Sequence, residues 1–436
     1  MANHLNQATR RWSTRSALGL VAAATSLSAT AQDAAAGAEP SPYYIGLTGS
    51  VTHSSNVYGT PDSVPLPSDR RRSDTYGGGG VVAGFDQLVS RQRFYAAAKA
   101  NMNRYAYNKE LNNLSYDVNG GWDWATIERL SGSFTADVTQ SLANSSNFGT
   151  VRPTLQANTL NTELFAARVR WGGESALNLD AAYAYNRVRY SVTEGSNSSQ
   201  NSGSLGASYA LGPTLRLGAA GRVTRAVQPN YAIRQLSPLE FDENVTDGRN
   251  LDLTAAWIPS AQSSLNARAS WTRQTNSFAG ASDYSGLTGA LSGSVAPTAK
   301  LTFTGSMSRD AGINSLATRP ANPGPGDPAP SVSQSSQITG NFALGVNYAA
   351  TAKIGVTLGV QYQHNKVPDP LNSANATNNY YSDDSTTTAL GVNYAITRGV
   401  SLGCNLSYAW RDVSGNLLPY SYSTNIVGCT AQVELR

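Results

Sequence analysis

The stretch VSLGCNLSYAW, Val400 to Trp410, decides the fold. Val400, Leu402, Cys404, Leu406, Tyr408 and Trp410 occupy one parity; Ser401, Gly403, Asn405, Ser407 and Ala409 occupy the other. A side-chain period of two belongs to a β-strand with one apolar and one polar face. The same pattern recurs upstream. Ile354, Val356, Leu358, Val360 and Tyr362 alternate with Gly355, Thr357, Gly359, Gln361 and Gln363, and Leu301, Phe303, Gly305 and Met307 with Thr302, Thr304, Ser306 and Ser308. A dozen or more such segments follow one another from Tyr43 onward.

The connections between them sort by length. Short ones fall near residues 88–90, 126–130, 172–175, 212–214, 259–263, 297–299, 350–353 and 397–399. Several carry turn formers such as Gly212-Pro213, Pro259-Ser260 and Arg398-Gly399. Longer polar loops near 54–73, 108–114, 142–158, 191–199, 228–245, 277–283, 312–333, 367–383 and 412–420 alternate with them. Short turns at one end and long loops at the other predict a transmembrane antiparallel up-and-down β-barrel of about 18 strands in an outer membrane, both termini periplasmic. Aromatic residues support two interfacial belts. Trp122, Trp124, Trp171, Tyr209, Trp257, Tyr348 and Tyr394 come late in strands approaching short turns; Tyr105, Tyr183, Tyr185, Trp271, Tyr362, Tyr408 and Trp410 come late in strands approaching long loops. The echo of Leu344-Gly345-Val346-Asn347-Tyr348-Ala349 in Leu390-Gly391-Val392-Asn393-Tyr394-Ala395 marks one hairpin as the repeating unit.

Composition agrees. Of 436 residues, 14% are charged, with 40 Gly and 22 Tyr, and the mean hydropathy of −0.31 excludes a helical membrane protein. Residues 1–31 read as a signal peptide: Arg10, Arg11 and Arg15 precede an apolar run from Ser16 to Leu27, and Ala29-Thr30-Ala31 offers a cleavage site. Residues 32–42 read as a polar spacer and 43–436 as the barrel. Cleavage would remove three basic residues and no acid, taking the net charge from +4 to +1, which gives no field for nucleic acid.

Facing the apolar parity toward lipid leaves the other parity in the lumen. Its basic members are Arg93, Lys99, Arg168, Arg170, Arg216, Arg222 and Arg268; its acidic members are Asp117, Asp123, Asp137, Asp180 and Asp252. Toward the C-terminus the lumen reads as almost uncharged: Thr339, Asn341, Asn347, Thr357, Gln361, Asn405 and Ser407. The charges would either select an anionic solute or brace the barrel interior. Cys404 and Cys429 lie in the last two strands. Direct pairing centres that hairpin between Asn416 and Leu417 and puts both sulfurs on the apolar face, as a cross-strand disulfide or as two free thiols. After signal removal only His53 and His364 remain, without metal spacing or a nucleophile motif, so neither an enzyme nor a cofactor is expected. The Gly77–Gly80 run lies within a strand and precedes no helix, which points to close backbone approach instead of a phosphate loop.

Three stretches, YYIGLTGSVTHSSNV (Tyr43 to Val57), VAGFDQLVSRQR (Val82 to Arg93) and DWATIERLSG (Asp123 to Gly132), together with the late cysteine pair, resemble the β-barrel porin family encoded beside exopolysaccharide biosynthesis genes in proteobacteria. The resemblance implies an outer-membrane barrel near a polysaccharide-export system, and transfers no functional residues. The ending Val433-Glu434-Leu435-Arg436 departs from the aromatic terminus of an assembly signal, although Gly428, Ala431, Val433 and Leu435 keep its alternation. The expected function is a channel for a polysaccharide or its fragments, with outer-membrane lipid and the export machinery as partners. The alternatives are a general diffusion porin for small solutes and a structural or adhesive surface barrel with a blocked lumen.

Overall fold

A computed structural model describes residues 41–63, 65–143, 157–173, 175–192, 194, 197–236, 239–278, 281, 283–311, 338–368, 380–414 and 421–435. The signal-peptide segment, most of the spacer, the whole 312–333 loop and the Asn416–Leu417 hairpin centre lie outside them. The chain forms eighteen strands. The first nine are β1 (Tyr43–Ser54), β2 (Asp74–Val89), β3 (Gln92–Tyr105), β4 (Asn113–Ala125), β5 (Leu130–Leu142), β6 (Thr159–Trp171), β7 (Leu177–Tyr190), β8 (Ser198–Ala210) and β9 (Leu215–Leu236). The rest are β10 (Leu239–Ser260), β11 (Ser263–Asn276), β12 (Tyr284–Thr298), β13 (Leu301–Ala311), β14 (Ile338–Ala349), β15 (Ile354–Pro368), β16 (Tyr380–Thr397), β17 (Val400–Ser414) and β18 (Tyr422–Leu435).

Each strand pairs antiparallel with its chain neighbours, and β1 pairs with β18, from Ile45 opposite Leu435 to Ser54 opposite Ile426. The sheet is therefore a closed barrel, and closure satisfies the hydrogen-bonding edges that an open sheet would expose. Both β1 and β18 have their outer chain ends at the short-turn end, since Tyr43 lies opposite Phe85 and Ile45 opposite Leu435.

Parity sorts the side chains. On β1, Ile45, Leu47 and Val51 are exposed, while Thr48, Thr52 and Ser54 are buried. The outer face carries the large apolar residues all the way around, including Leu205, Val223, Leu251, Trp271, Leu287, Leu344 and Leu406. The interior is polar. A small cluster of Ala143, Leu160, Val188 and Tyr190 is the only buried hydrophobic cluster among the described residues. Trp122, Trp171, Tyr209, Trp257, Tyr348 and Tyr394 stand exposed near the short-turn end, and Tyr183, Trp271, Tyr362, Tyr408 and Trp410 near the long-loop end.

Gly80 shows why the glycine run sits in β2. Thr48 on β1 and Asn101 on β3 are both register partners of Gly80, and the Thr48 Oγ1 donates to Asn101 Oδ1 at 2.8 Å across it. A Cβ on Gly80 would come within 2.1 Å of the Ala100 carbonyl oxygen. Side chains of two strands can meet there because the middle strand has none.

Two expectations change. The 228–245 segment is not a loop: β9 and β10 continue as a paired hairpin to Leu236 and Leu239, with register shifts at Glu240/Phe241 and Asp242/Asn244. Apolar–polar alternation is imposed where one strand face meets apolar surroundings, and this extension keeps its ladder without it. Tyr105 does not join the outer belt. It lies opposite Tyr76, with ring centroids 4.6 Å apart, on the same parity as the buried Thr52. The loop after β1 also folds back on the β3–β4 connection. Asn108 Nδ2 donates to the Arg71 carbonyl at 2.8 Å, Arg70 pairs with Glu110 at 2.7 Å, and the buried Tyr58 hydroxyl bonds Glu110. Burial, followed by the Glu110 carboxylate, pushes the Tyr58 phenol well above its usual range.

Candidate functional site

On the inner wall ionisable groups from many strands converge, and cross-strand register determines how they meet. On β2 to β5, Arg93 donates to Asp86 through Nε at 2.8 Å. Arg93 is also directly opposite Asp123, and Lys99 directly opposite Asp117. Asp137 lies opposite Asn119 on the same parity. This arc holds two cations and five carboxylates on its inward parity, the fifth being the buried Asp74 at the long-loop end of β2.

The next arc has the opposite balance. Arg168 and Arg170 on β6 both reach Asp180 on β7, with Nε distances of 3.0 Å and 2.9 Å to the same Oδ1. A carboxylate can accept several guanidinium hydrogen bonds because its oxygens offer about four lone-pair directions. Arg216 follows on β9, near Ser208 Oγ at 3.4 Å and the Ala176 carbonyl at 3.3 Å. Along β6 to the start of β9 the inward parity therefore presents three arginines and one aspartate.

A third group forms a chain of ion pairs. Arg222 on β9 grips Asp252 on β10 with both oxygens, Nε to Oδ2 at 2.9 Å and Nη2 to Oδ1 at 3.1 Å. Arg268 on β11 approaches the same carboxylate at 3.8 Å and reaches past β12 to Asp310 on β13 at 2.7 Å. Asp252 is only 1% exposed. A small recess of about 50 Å³ opens beside this chain, lined by Arg222, Asn250, Thr272, Gln274, Thr288 and Asp310 among others. Bidentate pairing fixes the guanidinium planes, leaving their remaining N–H groups to face solute or water.

The wall of β14 to β18 differs. Thr339, Asn341, Asn347, Thr357, Gln361, Asn405 and Ser407 all fall on the inward parity there. Its middle is uncharged, but its long-loop rim is not: Arg411 pairs with Asp383 through Nε at 2.6 Å. Glu434 stands at the short-turn end beside Gln432. Asp86, Asp310, Asp383 and Arg411 were not among the lumen residues chosen from sequence. Each continues the polar parity of its own strand; Asp310, for example, follows Ser306 and Ser308. Cys404 and Cys429 are directly opposite on β17 and β18, with Cα atoms 4.1 Å apart, and are bonded on the apolar parity.

No family model matches the chain, and no curated protein does. Solved structures are similar at low identity. The outer membrane protein opdK from Pseudomonas aeruginosa is 11% identical over 90% of this chain and 99% of its own, with a TM-score of 0.45. Pseudomonas aeruginosa OccK2 (OpdF), in complex with glucuronate, is 12% identical over 90% of this chain and 98% of its own, with a TM-score of 0.43. The siderophore receptor PirA from Acinetobacter baumannii is 8% identical over 92% of this chain and 81% of its own, with a TM-score of 0.41.

Proposed function

We propose that the chain is an outer-membrane channel for polar solutes, and the observation that carries this is the inverted distribution of polarity. A water-soluble barrel would turn its large apolar residues inward. Here Leu205 is 71%, Leu287 64% and Leu251 60% exposed on the outer face, while Asp252, Ser270 and Thr272 are buried on the inner one. Leaving one such side chain in water costs about 1.5–3 kcal/mol, and a continuous belt of them marks a surface made for lipid. Closed barrels of about this strand number leave an aqueous path.

The cargo follows from the wall chemistry. Guanidinium groups held by Asp180 and Asp252 suit carboxylate or other acidic groups, and the Asn, Gln and Thr wall suits hydroxyls. The reading is therefore a porin for small polar solutes with a preference for acidic ones. Passage of an exopolysaccharide or its fragments is the second reading, favoured by the uncharged middle of β14 to β18 and by the family resemblance of Tyr43 to Val57. Liposome swelling separates them. The porin reading expects rapid entry of glucose and of a uronic acid, with a cut-off at small oligosaccharides. Unhindered entry of long oligosaccharides would favour the second reading, and no swelling with any sugar would remove both.

A further inference from the structure

Among the described residues, charge on the outward parity of the strands lies at their long-loop ends. Moving along the strands toward the long loops, the residue two places beyond a large outward side chain of the apolar band is repeatedly arginine. Arg104 follows Met102, Arg187 follows Tyr185, Arg225 follows Val223, Arg273 follows Trp271 and Arg309 follows Met307; on β10, which runs the other way, Arg249 precedes Leu251. Two residues of strand are roughly 6.6 Å, so this ring of cations lies just above the apolar band.

The ring is densest on β9 to β11. Arg249 and Arg273 are direct register partners, and both are exposed on the outer face. Directly opposed side chains have their Cβ atoms about 5 Å apart, and like charges in that position are destabilising. Among the described residues, neither guanidinium has a carboxylate within ion-pairing distance. Asp247, the nearest acidic residue along β10, leans toward Arg225 at 3.9 Å. On β15 to β17 the outward long-loop end carries acids instead, with Asp384 directly opposite Asp412 and His364 Nδ1 2.7 Å from Asp384. Elsewhere in the ring arginines have acidic register partners, Arg187 opposite Glu163 and Arg225 opposite Asp247, whereas Arg249 and Arg273 face each other.

We propose that the Arg249–Arg273 pair seats the phosphate of an anionic membrane lipid whose acyl chains lie against Leu251, Trp271 and Leu287. A phosphate between the two arginines would turn an unfavourable like-charge pair into two charge-assisted hydrogen-bonded contacts. The row directly below supplies the apolar contact, since Leu251, Trp271 and Leu287 are consecutive register partners. Continuity of charge with the apolar band selects a lipid over a soluble anion. This inference rests on the membrane reading above.

Purified full-length chain in detergent, titrated with dioctanoyl phosphatidic acid, dioctanoyl phosphatidylcholine or inorganic phosphate and followed by native mass spectrometry, tests it. The expected result is a phosphatidic acid adduct at about tenfold lower concentration than phosphatidylcholine and none with inorganic phosphate. The R249Q/R273Q variant should lose most of that preference while keeping the mobility of the folded barrel on unboiled gels. Equal binding of both lipids, an unchanged preference in the variant, or displacement of lipid by a second copy of the chain would overturn it. Insertion into neutral phosphatidylcholine vesicles, measured alongside, separates the two levels. A chain that inserts without lipid preference loses this inference alone, whereas a chain that does not insert loses the membrane reading and this inference with it.

Discussion

The two walls of the barrel hold themselves together by different means. On β6 to β13 the inner face is stitched by ion pairs that cross strands, from Arg168 and Arg170 on Asp180 to Arg222, Asp252, Arg268 and Asp310. On β14 to β18 the middle relies on neutral hydrogen bonds, such as Asn341 Nδ2 on β14 to Ser308 Oγ on β13 at 3.4 Å, and on the Cys404–Cys429 bond on the outer face. The contrast separates shape from selectivity. A neutral wall suffices to maintain a strand register, and on the proposed channel reading the charges opposite it do more than brace. They set a field across the lumen, acidic on β2 to β5 and basic on β6 to the start of β9.

Breaking the charged wall at its centre should have the largest effect. Asp252→Ala leaves Arg222 and Arg268 without their shared carboxylate, and removing one member of a buried pair typically costs about 3–5 kcal/mol. Urea unfolding of the reconstituted barrel should show that loss, with Asp252→Asn losing less. Equal stability of wild type and Asp252→Ala would mean the pairs do not hold the wall. The neutral side should be next. Cys404→Ser with Cys429→Ser opens a loop of sequence separation 25, for which chain entropy predicts a loss of about 3 kcal/mol. Ion selectivity should not move, because the bond faces away from the lumen. The smallest effect is expected from Asn341→Ala, about 1 kcal/mol for one hydrogen bond. High salt should leave that difference unchanged, and a salt-dependent one would mean that charge reaches this wall too.

Much of this was legible in the sequence because lipid imposes a strict parity. Strand count, turn positions, the opposition of Cys404 and Cys429 and the inward set from Arg93 to Arg268 all follow from alternation. What was missed lies where that constraint ends. Residues 228–245 extend past the apolar band, so nothing forces one face to be apolar and the strand signal vanishes, although the ladder continues. Tyr105 was assigned by depth alone, whereas the outward parity of Met102 and Arg104 already turned it inward. The partners of each charge depend on cross-strand register, which a single strand does not encode. Asp310 meets Arg268 across β12 because of stagger between strands distant in sequence.

If the basic arc faces a conducting path, the reversal potential of single channels in a planar bilayer under a salt gradient will report its charge. The wild-type barrel should conduct. The triple variant Arg168→Gln, Arg170→Gln, Arg216→Gln should shift the reversal potential toward cation preference, while Asn341→Ala on the neutral wall should leave it in place. Absence of conductance, or a triple variant with the wild-type reversal potential, would contradict the account.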